Sequence, residues 1–233
     1  QLTVNQRPLN ATLSRQYDGT TTSAGSDLSS FDALQGGETL TLSGSGTSAS
    51  ANVANGIAMS SNGNLALVDG TGLASNYSLN STVINITERV LNSSGSKIYD
   101  ANTDALAADI TLSNLVSGEA LNHSGTATIS SANAGSYTIT NLAGITIADG
   151  SGGIASNYTL TGGTHNFTVN PKVVSIQGNK TYDGNTTISS GDITSITDTV
   201  GAETLVISSG SGTVSSANAA TYASAGINAV SYT

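Results

Sequence analysis

The chain has no cysteine, no tryptophan, only two prolines, and two phenylalanines beside eight tyrosines in 233 residues. Without cysteine there is no disulfide framework, no thiolate metal site and no cysteine nucleophile. Charge is scarce too. Charged residues make up 9% of the chain, against about a quarter in an ordinary soluble domain. Six Lys and Arg face fifteen Asp and Glu, for a net charge of −9. A phosphate-tracking surface needs clustered basic side chains, so no nucleic-acid partner is expected, and the sign of the charge disfavours an anionic membrane. No apolar run reaches the roughly 18 residues of a membrane-crossing helix, so no membrane insertion is expected. What the chain has in quantity is small and polar: 27 glycines and 68 Ser and Thr. Such a thin apolar content predicts several small β cores rather than one deep one.

The decisive signal is internal repetition. Tyr17-Asp18-Gly19 returns as Tyr99-Asp100-Ala101 and as Tyr182-Asp183-Gly184. Downstream follow Gly37-Glu38-Thr39-Leu40, Gly118-Glu119-Ala120-Leu121 and Ala202-Glu203-Thr204-Leu205. Ser50-Ala51-Asn52, Ser131-Ala132-Asn133 and Ser216-Ala217-Asn218 come next. Ala74-Ser75-Asn76-Tyr77 and Ala155-Ser156-Asn157-Tyr158 close the pattern. All six basic residues fall at two repeat positions: Arg7, Arg89 and Lys172 open the modules, and Arg15, Lys97 and Lys180 precede each tyrosine by two. The repeats predict modules at 7–89, 90–172 and 173–233. Residues 1–6 read as the last strand of a preceding module, because Leu2-Thr3-Val4-Asn5 resembles Phe167-Thr168-Val169-Asn170. The third module ends at Ser231-Tyr232-Thr233, which aligns with Asn157-Tyr158-Thr159, so it is expected to lack its final strand. Both ends thus read as cut from a longer array.

Within a module, stretches such as Thr39–Leu42 and Asn166–Val169 alternate apolar and polar residues between Gly, Asn, Asp and Ser clusters. Period-two patterning with frequent turns predicts all-β modules, small immunoglobulin-like sandwiches or, alternatively, β-grasp-like units. The junctions Glu88-Arg89 and Pro171-Lys172 are flanked by strand-like sequence and carry no Gly/Ser tether. They predict semi-rigid modules in an elongated rod, three modules extending on the order of 100 Å.

Three constellations carry chemistry. Arg15-Tyr17-Asp18, Lys97-Tyr99-Asp100 and Lys180-Tyr182-Asp183 read as local clusters that pin a turn. Ala101 stands in place of Gly, so a positive φ is not expected to be obligatory there. Glu38, Glu119 and Glu203 recur and read as salt-bridge or solvated-turn residues; with Lys97 or Lys180 and an Asn or Asp they also have the residue types of an isopeptide cross-link, but Arg15 lacks the amine that this chemistry needs. Asp69-Gly70-Thr71-Gly72 and Asp149-Gly150-Ser151-Gly152 read as tight turns rather than cation loops. His123 and His165 do not recur and read as incidental surface residues. No Walker loop, G-x-S-x-G or paired-carboxylate pattern occurs, so neither an enzyme nor a bound cofactor or metal is expected.

The basic-x-Tyr-Asp-Gly opening, the Gly-Glu-Thr-Leu turn, the Ser-Ala-Asn segment and the Asn-Tyr-Thr-Leu close resemble YDG-type repeats. These occur in tandem in large secreted bacterial adhesins of the filamentous-haemagglutinin and biofilm-matrix kinds. The resemblance spans essentially the whole chain. It implies export to the cell surface or matrix, a stalk or spacer role, and no catalytic residues. Two further roles are open: modules that hold exopolysaccharide or host glycan, and filament subunits joined head to tail when residues 1–6 add a strand to module 3 of the next chain.

Overall fold

A computed structural model describes residues 1–223 and, as backbone, residues 230 and 231. Tyr232 and Thr233, with the expected truncated end of module 3, lie outside the described residues.

The protein is all-β, and its only helical segments among the described residues are three-residue 3₁₀ turns. The first repeat contributes β1 (Arg7–Gln16), β2 (Thr22–Ala24), β3 (Leu28–Phe31), β4 (Leu40–Ser43), β5 (Ser45–Ser48), β6 (Ala54–Ser61), β7 (Ala66–Asp69) and β8 (Tyr77–Thr87). The second contributes β9 (Arg89–Val90), β10 (Asn92–Ile98), β11 (Asp104–Leu106), β12 (Ile110–Ser113), β13 (Leu121–Ile129), β14 (Gly135–Asn141), β15 (Ile145–Asp149), β16 (Tyr158–Thr159) and β17 (His165–Asn170). The third contributes β18 (Ser175–Gly178), β19 (Thr187–Ser189), β20 (Ile193–Thr197), β21 (Ser209–Thr213) and β22 (Val230–Ser231).

The first repeat folds as a six-stranded sheet of order β2-β5-β6-β8-β1-β3. Its centre is parallel: β1 and β8, the first and last strands, run side by side from Arg7↔Tyr77 to Gln16↔Thr87. β6 flanks β8 and β3 flanks β1, both antiparallel. Alternation in β1 explains its orientation. Leu9, Ala11 and Leu13 are buried, at 0%, 1% and 0% exposure, whereas Asn10 and Ser14 face solvent. β4 and β7 form a separate antiparallel pair. The second repeat has the corresponding order, β11-β13-β14-β17-β10-β12, with β15 on β13.

Backbone proximity divides the chain into two compact units that do not follow the repeats. One comprises residues 1–94, 106–127 and 141–166; the other comprises 95–105, 128–140 and 167–233. The second repeat therefore supplies chain to both. In the first unit, Leu13, Ile57, Ile84 and Ile86 of repeat 1 share a core with Leu91 and Tyr158 of repeat 2. Apolar burial at about 25 cal/mol per Å² is non-directional, so it operates across a repeat boundary as readily as within a repeat. In the second unit β18 pairs with β20, and β19, β21 and β22 form a small antiparallel sheet.

Gln1–Gln6 carry no strand, and Leu2 and Val4 are 92% and 91% exposed. The residues they resemble, Phe167 and Val169, are each 1% exposed.

Candidate functional site

The Tyr-Asp turn has the same construction three times. Asp18 Oδ1 accepts the backbone N–H of Thr20 at 2.9 Å, and Asp100 and Asp183 accept those of Asn102 and Asn185, each at 3.1 Å. The preceding basic residue closes each turn. Arg15 pairs with Asp18, Lys97 with Asp100 at 2.8 Å and Lys180 with Asp183 at 2.9 Å. Each cation also binds carbonyls beyond the turn, such as Thr20 for Arg15, Asp104 for Lys97 and Thr187 for Lys180. Asp183 is held below the usual carboxylate range by the Lys180 bond and the N–H of Asn185. At Asp100, burial opposes ionisation, but Lys97 and the N–H of Asn102 outweigh it and lower the pKa.

Backbone conformation corrects one expectation. Ala101 lies at φ +64°, beside +77° for Gly19 and +78° for Gly184. The left-handed conformation is thus kept in all three turns, although an L-residue pays about 1–2 kcal/mol for it.

The tyrosine of the motif does not join its own basic residue and aspartate. Tyr17 donates to Glu119 Oε1 at 2.6 Å, across 102 residues and into the second repeat. Tyr158 donates to the other oxygen, Glu119 Oε2, at 2.5 Å. The two rings meet edge to face, with centroids 5.4 Å apart. Tyr17 and Tyr158 are 4% and 3% exposed. Burial and the Glu119 carboxylate both disfavour a phenolate, so the pKa of Tyr17 rises and that of Tyr158 is pushed up to about 12. Val116 N–H donates to Tyr158 Oη at 3.1 Å, which fixes the ring from a second side.

A second link lies beside the first. Asn157, fully buried, accepts the N–H of Val53 at 2.9 Å through Oδ1 and donates to Asn52 Oδ1 at 3.0 Å. The Ser-Ala-Asn segment of repeat 1 is thereby bound to the Asn-Tyr segment of repeat 2. Arg89 completes the junction by donating to the Asn114 carbonyl at 2.5 Å and to that of Tyr17 at 3.4 Å.

In the second unit the pattern recurs. Tyr99 of repeat 2 donates to Glu203 of repeat 3, and that bond, followed by burial, raises the Tyr99 pKa. Within repeat 1, Tyr77 donates to Glu38 and accepts the N–H of Gln35 at 3.2 Å, the counterpart of the Tyr158, Glu119 and Val116 arrangement. Tyr182 is 68% exposed.

The three glutamates are therefore tyrosine acceptors, and Lys97 and Lys180 are bound within their own turns. The lysine, glutamate and amide that an isopeptide requires are not brought together at any of these positions. Asp69 Oδ1 and Asp149 Oδ1 accept the N–H groups of Ala74 at 2.7 Å and Ala155 at 2.8 Å, which ties each Asp-Gly turn to the 3₁₀ turn before the Asn-Tyr pair. Among the described residues no group of His, Cys, Asp and Glu is arranged to hold a metal ion.

The histidines correct a second expectation. His165 is 7% exposed; its Nε2–H donates to the Leu160 carbonyl at 2.8 Å, and Nδ1 meets Ser93 Oγ at 2.9 Å. His123 Nε2 lies 3.0 and 2.9 Å from the carbonyls of Ala107 and Ile110. Both bind backbone and neither is incidental. The Asn-Tyr motif is legible as a repeat anchor, but not the roles of Asn157 and Tyr158 in joining repeats, because their partners Asn52, Val53 and Glu119 are brought to them only by the fold.

A family model, the YDG domain, matches residues 2–84 and again residues 86–166. No curated protein and no solved structure matches the chain. With two successive matches over most of its length, each containing one of the Tyr-Asp turns described above, the chain belongs to the YDG domain family.

Proposed function

We propose that this chain is the structural repeat region, a stalk or spacer, of a bacterial cell-surface or biofilm-matrix adhesin. The observation that carries the reading is the use made of the repeated side chains. The motif tyrosine of one repeat is bonded to a glutamate of the next in both compact units. At both of these junctions a repeated tyrosine and a repeated glutamate are thus occupied in joining successive modules, as a stalk that lengthens by duplication requires. Tyr17 is almost fully withdrawn from water, and a hydrogen bond from such a group to a carboxylate contributes about 1.5–3 kcal/mol, enough to make the junction of repeats 1 and 2 a specific contact rather than a flexible tether.

Each module is a small β unit in an end-to-end rod in this reading. The central parallel pair β1–β8 supports a β-grasp-like module over an immunoglobulin-like one, whose sheets are antiparallel. Export to the cell surface belongs to the same proposal.

The test joins two measurements on the purified chain. Small-angle scattering should give an extended particle on the order of 100 Å long, and an array of bacterial exopolysaccharides and host glycans should show no saturable binding. A compact particle removes the spacer reading. Saturable glycan binding replaces it with a glycan-binding module.

A further inference from the structure

Repeat 1 begins and ends on neighbouring strands that run the same way. β1 and β8 pair in parallel from Arg7↔Tyr77 to Gln16↔Thr87, and the Tyr17 N–H extends the ladder to the Thr87 carbonyl at 2.9 Å. The chain therefore enters the repeat at one end of this ladder and leaves it at the other, about 33 Å away for strands of this length. A pull on the flanking chain, through Gln6 at one end and Glu88 at the other, runs along both strands in opposite senses. It loads the ladder in shear, so the bonds between β1 and β8 fail together rather than one after another. Antiparallel first and last strands would put entry and exit at the same end, and the same pull would open them pair by pair.

Side chains resist the same slide. Leu9, Leu13 and Ile84 are 0% exposed and Ile86 is 1% exposed. Moving one strand a single residue along the other carries its buried set to the solvent face. The ladder has one irregular point, between Leu9 and Asn10, where Asn80 is skipped and Asn10 faces Ser81. Asn10 braces it. Its Oδ1 accepts from Asn80 Nδ2 at 3.0 Å and from Ser81 Oγ at 2.6 Å. Its Nδ2 and its N–H donate to the two oxygens of Asp32, each at 2.7 Å. β8, β1 and the residue after β3 are thus tied together at the bulge.

Repeat 2 starts in the same way. β9 is parallel to β16, and the N–H groups of Leu91 and Ser93 continue the pairing to the carbonyls of Thr159 and Thr164 at 2.8 and 3.0 Å. Asn92, the counterpart of Asn10, accepts the Thr164 N–H through Oδ1 at 2.9 Å. In the second unit the Tyr99 N–H reaches the Asn170 carbonyl at 2.8 Å, as that of Tyr17 reaches Thr87. Only Glu88 stands between β8 and β9, so tension leaving the first ladder passes straight into the first strand of the next repeat.

We propose that the β1–β8 pair is a load-bearing clamp, that repeat 1 functions to resist tension along the chain, and that Asn10 braces the clamp at its bulge. This goes beyond the spacer reading, which asks only for length. It rests on strand direction and holds whatever the chain is attached to.

Single-molecule force spectroscopy on the full chain tests it. No native cysteine competes, so introduced cysteines fix where the handles attach. Gln6, Asn76 and Glu88 are all exposed. A Gln6→Cys/Glu88→Cys chain is pulled in shear. A Gln6→Cys/Asn76→Cys chain is pulled at the two neighbouring strand starts, which opens the same ladder pair by pair. The expected result is a rupture force several-fold higher in shear at the same loading rate, because forced unfolding follows the rate of the loaded step. The shear event should release about 240 Å of chain, roughly 80 residues at about 3.4 Å each less the initial separation. Adding Asn10→Ala should lower the shear force more than Asn64→Ala does, since Asn64 bonds the Ser45 N–H outside this ladder. Equal forces in the two directions, or a lower force in shear, overturn the clamp. A shear force that Asn10→Ala lowers no more than Asn64→Ala overturns the bracing role. Scattering length and glycan binding decide the spacer reading separately, so either reading can fail alone.

Discussion

Replacing Tyr17 by Phe removes one hydroxyl and leaves the ring, so it isolates the bond to Glu119 from the surrounding packing. The ring keeps its edge-to-face contact with Tyr158 at 5.4 Å and its place in the aliphatic core. What is lost is a 2.6 Å bond to a carboxylate from a residue only 4% exposed. Bonds of this kind contribute about 1.5–3 kcal/mol. Glu119 retains Tyr158 as a donor, so a value near the lower end is expected, about 2 kcal/mol. In a folding unit of 150–250 residues this lowers Tm by about 4–8 °C. Tyr158→Phe should cost more, about 3 kcal/mol, because Val116 N–H loses its acceptor as well. The assay is urea unfolding followed by tyrosine fluorescence, which no tryptophan masks. Tyr137→Phe serves as the reference, since its hydroxyl reaches only the Ala134 carbonyl, at 3.4 Å; it should cost under about 0.5 kcal/mol. If Tyr17→Phe is no more damaging than Tyr137→Phe, the hydroxyl does not couple the repeats and the reasoning fails.

Other substitutions test other parts of the account. Ala101→Gly relieves the left-handed strain at φ +64° and should stabilise the chain by about 1 kcal/mol in the same titration; a loss of stability contradicts the assigned turn. Gly19→Ala should destabilise, since a Cβ there lies 2.9 Å from Val116 Cγ1 as well as at φ +77°. Ser23 is fully buried with its hydroxyl unpaired, and repeat 2 has Ala105 at that position. Ser23→Ala should therefore raise stability by about 1 kcal/mol, and a drop in the urea midpoint would refute the burial. The raised tyrosine pKa values set the alkaline limit. The unfolded chain releases the Tyr158 proton near 10.0 and the folded chain holds it to about 12. That contribution is complete below pH 10 and is lost as pH rises through about 12; it amounts to at most about 3 kcal/mol at 1.36 kcal/mol per pKa unit. Absorbance titration of the chain and of its Tyr158→Phe variant should differ by one ionisation near pH 12, and a difference near pH 10 instead would contradict the burial of Tyr158.

Local features were legible in the sequence because local physics decides them. Alternation over Asn166–Val169 put Phe167 and Val169 on one face of β17, where both are 1% exposed, and Asp-Gly spacing marked the turn at Asp18. The partner of the Tyr17 hydroxyl was not legible, since Glu119 lies 102 residues away and only the fold brings the two together. Nor were the compact units, because a core that continues from Ile84 to Leu91 leaves no trace in a period of repeated motifs. Ala101 misled because composition records the residue and not its φ. The burial of His165 was missed because His has no fixed side of a strand; alternation with Phe167 and Val169 along β17 was the cue.

The central claim is that the motif tyrosine of one repeat is seated in the next. Proton nuclear Overhauser spectroscopy with assigned tyrosine rings tests it most directly. The account predicts a cross-peak between the rings of Tyr17 and Tyr158, whose centroids are 5.4 Å apart, and its loss when Tyr17 is replaced by Ala. Well-resolved rings that show no such cross-peak in the folded chain would contradict it.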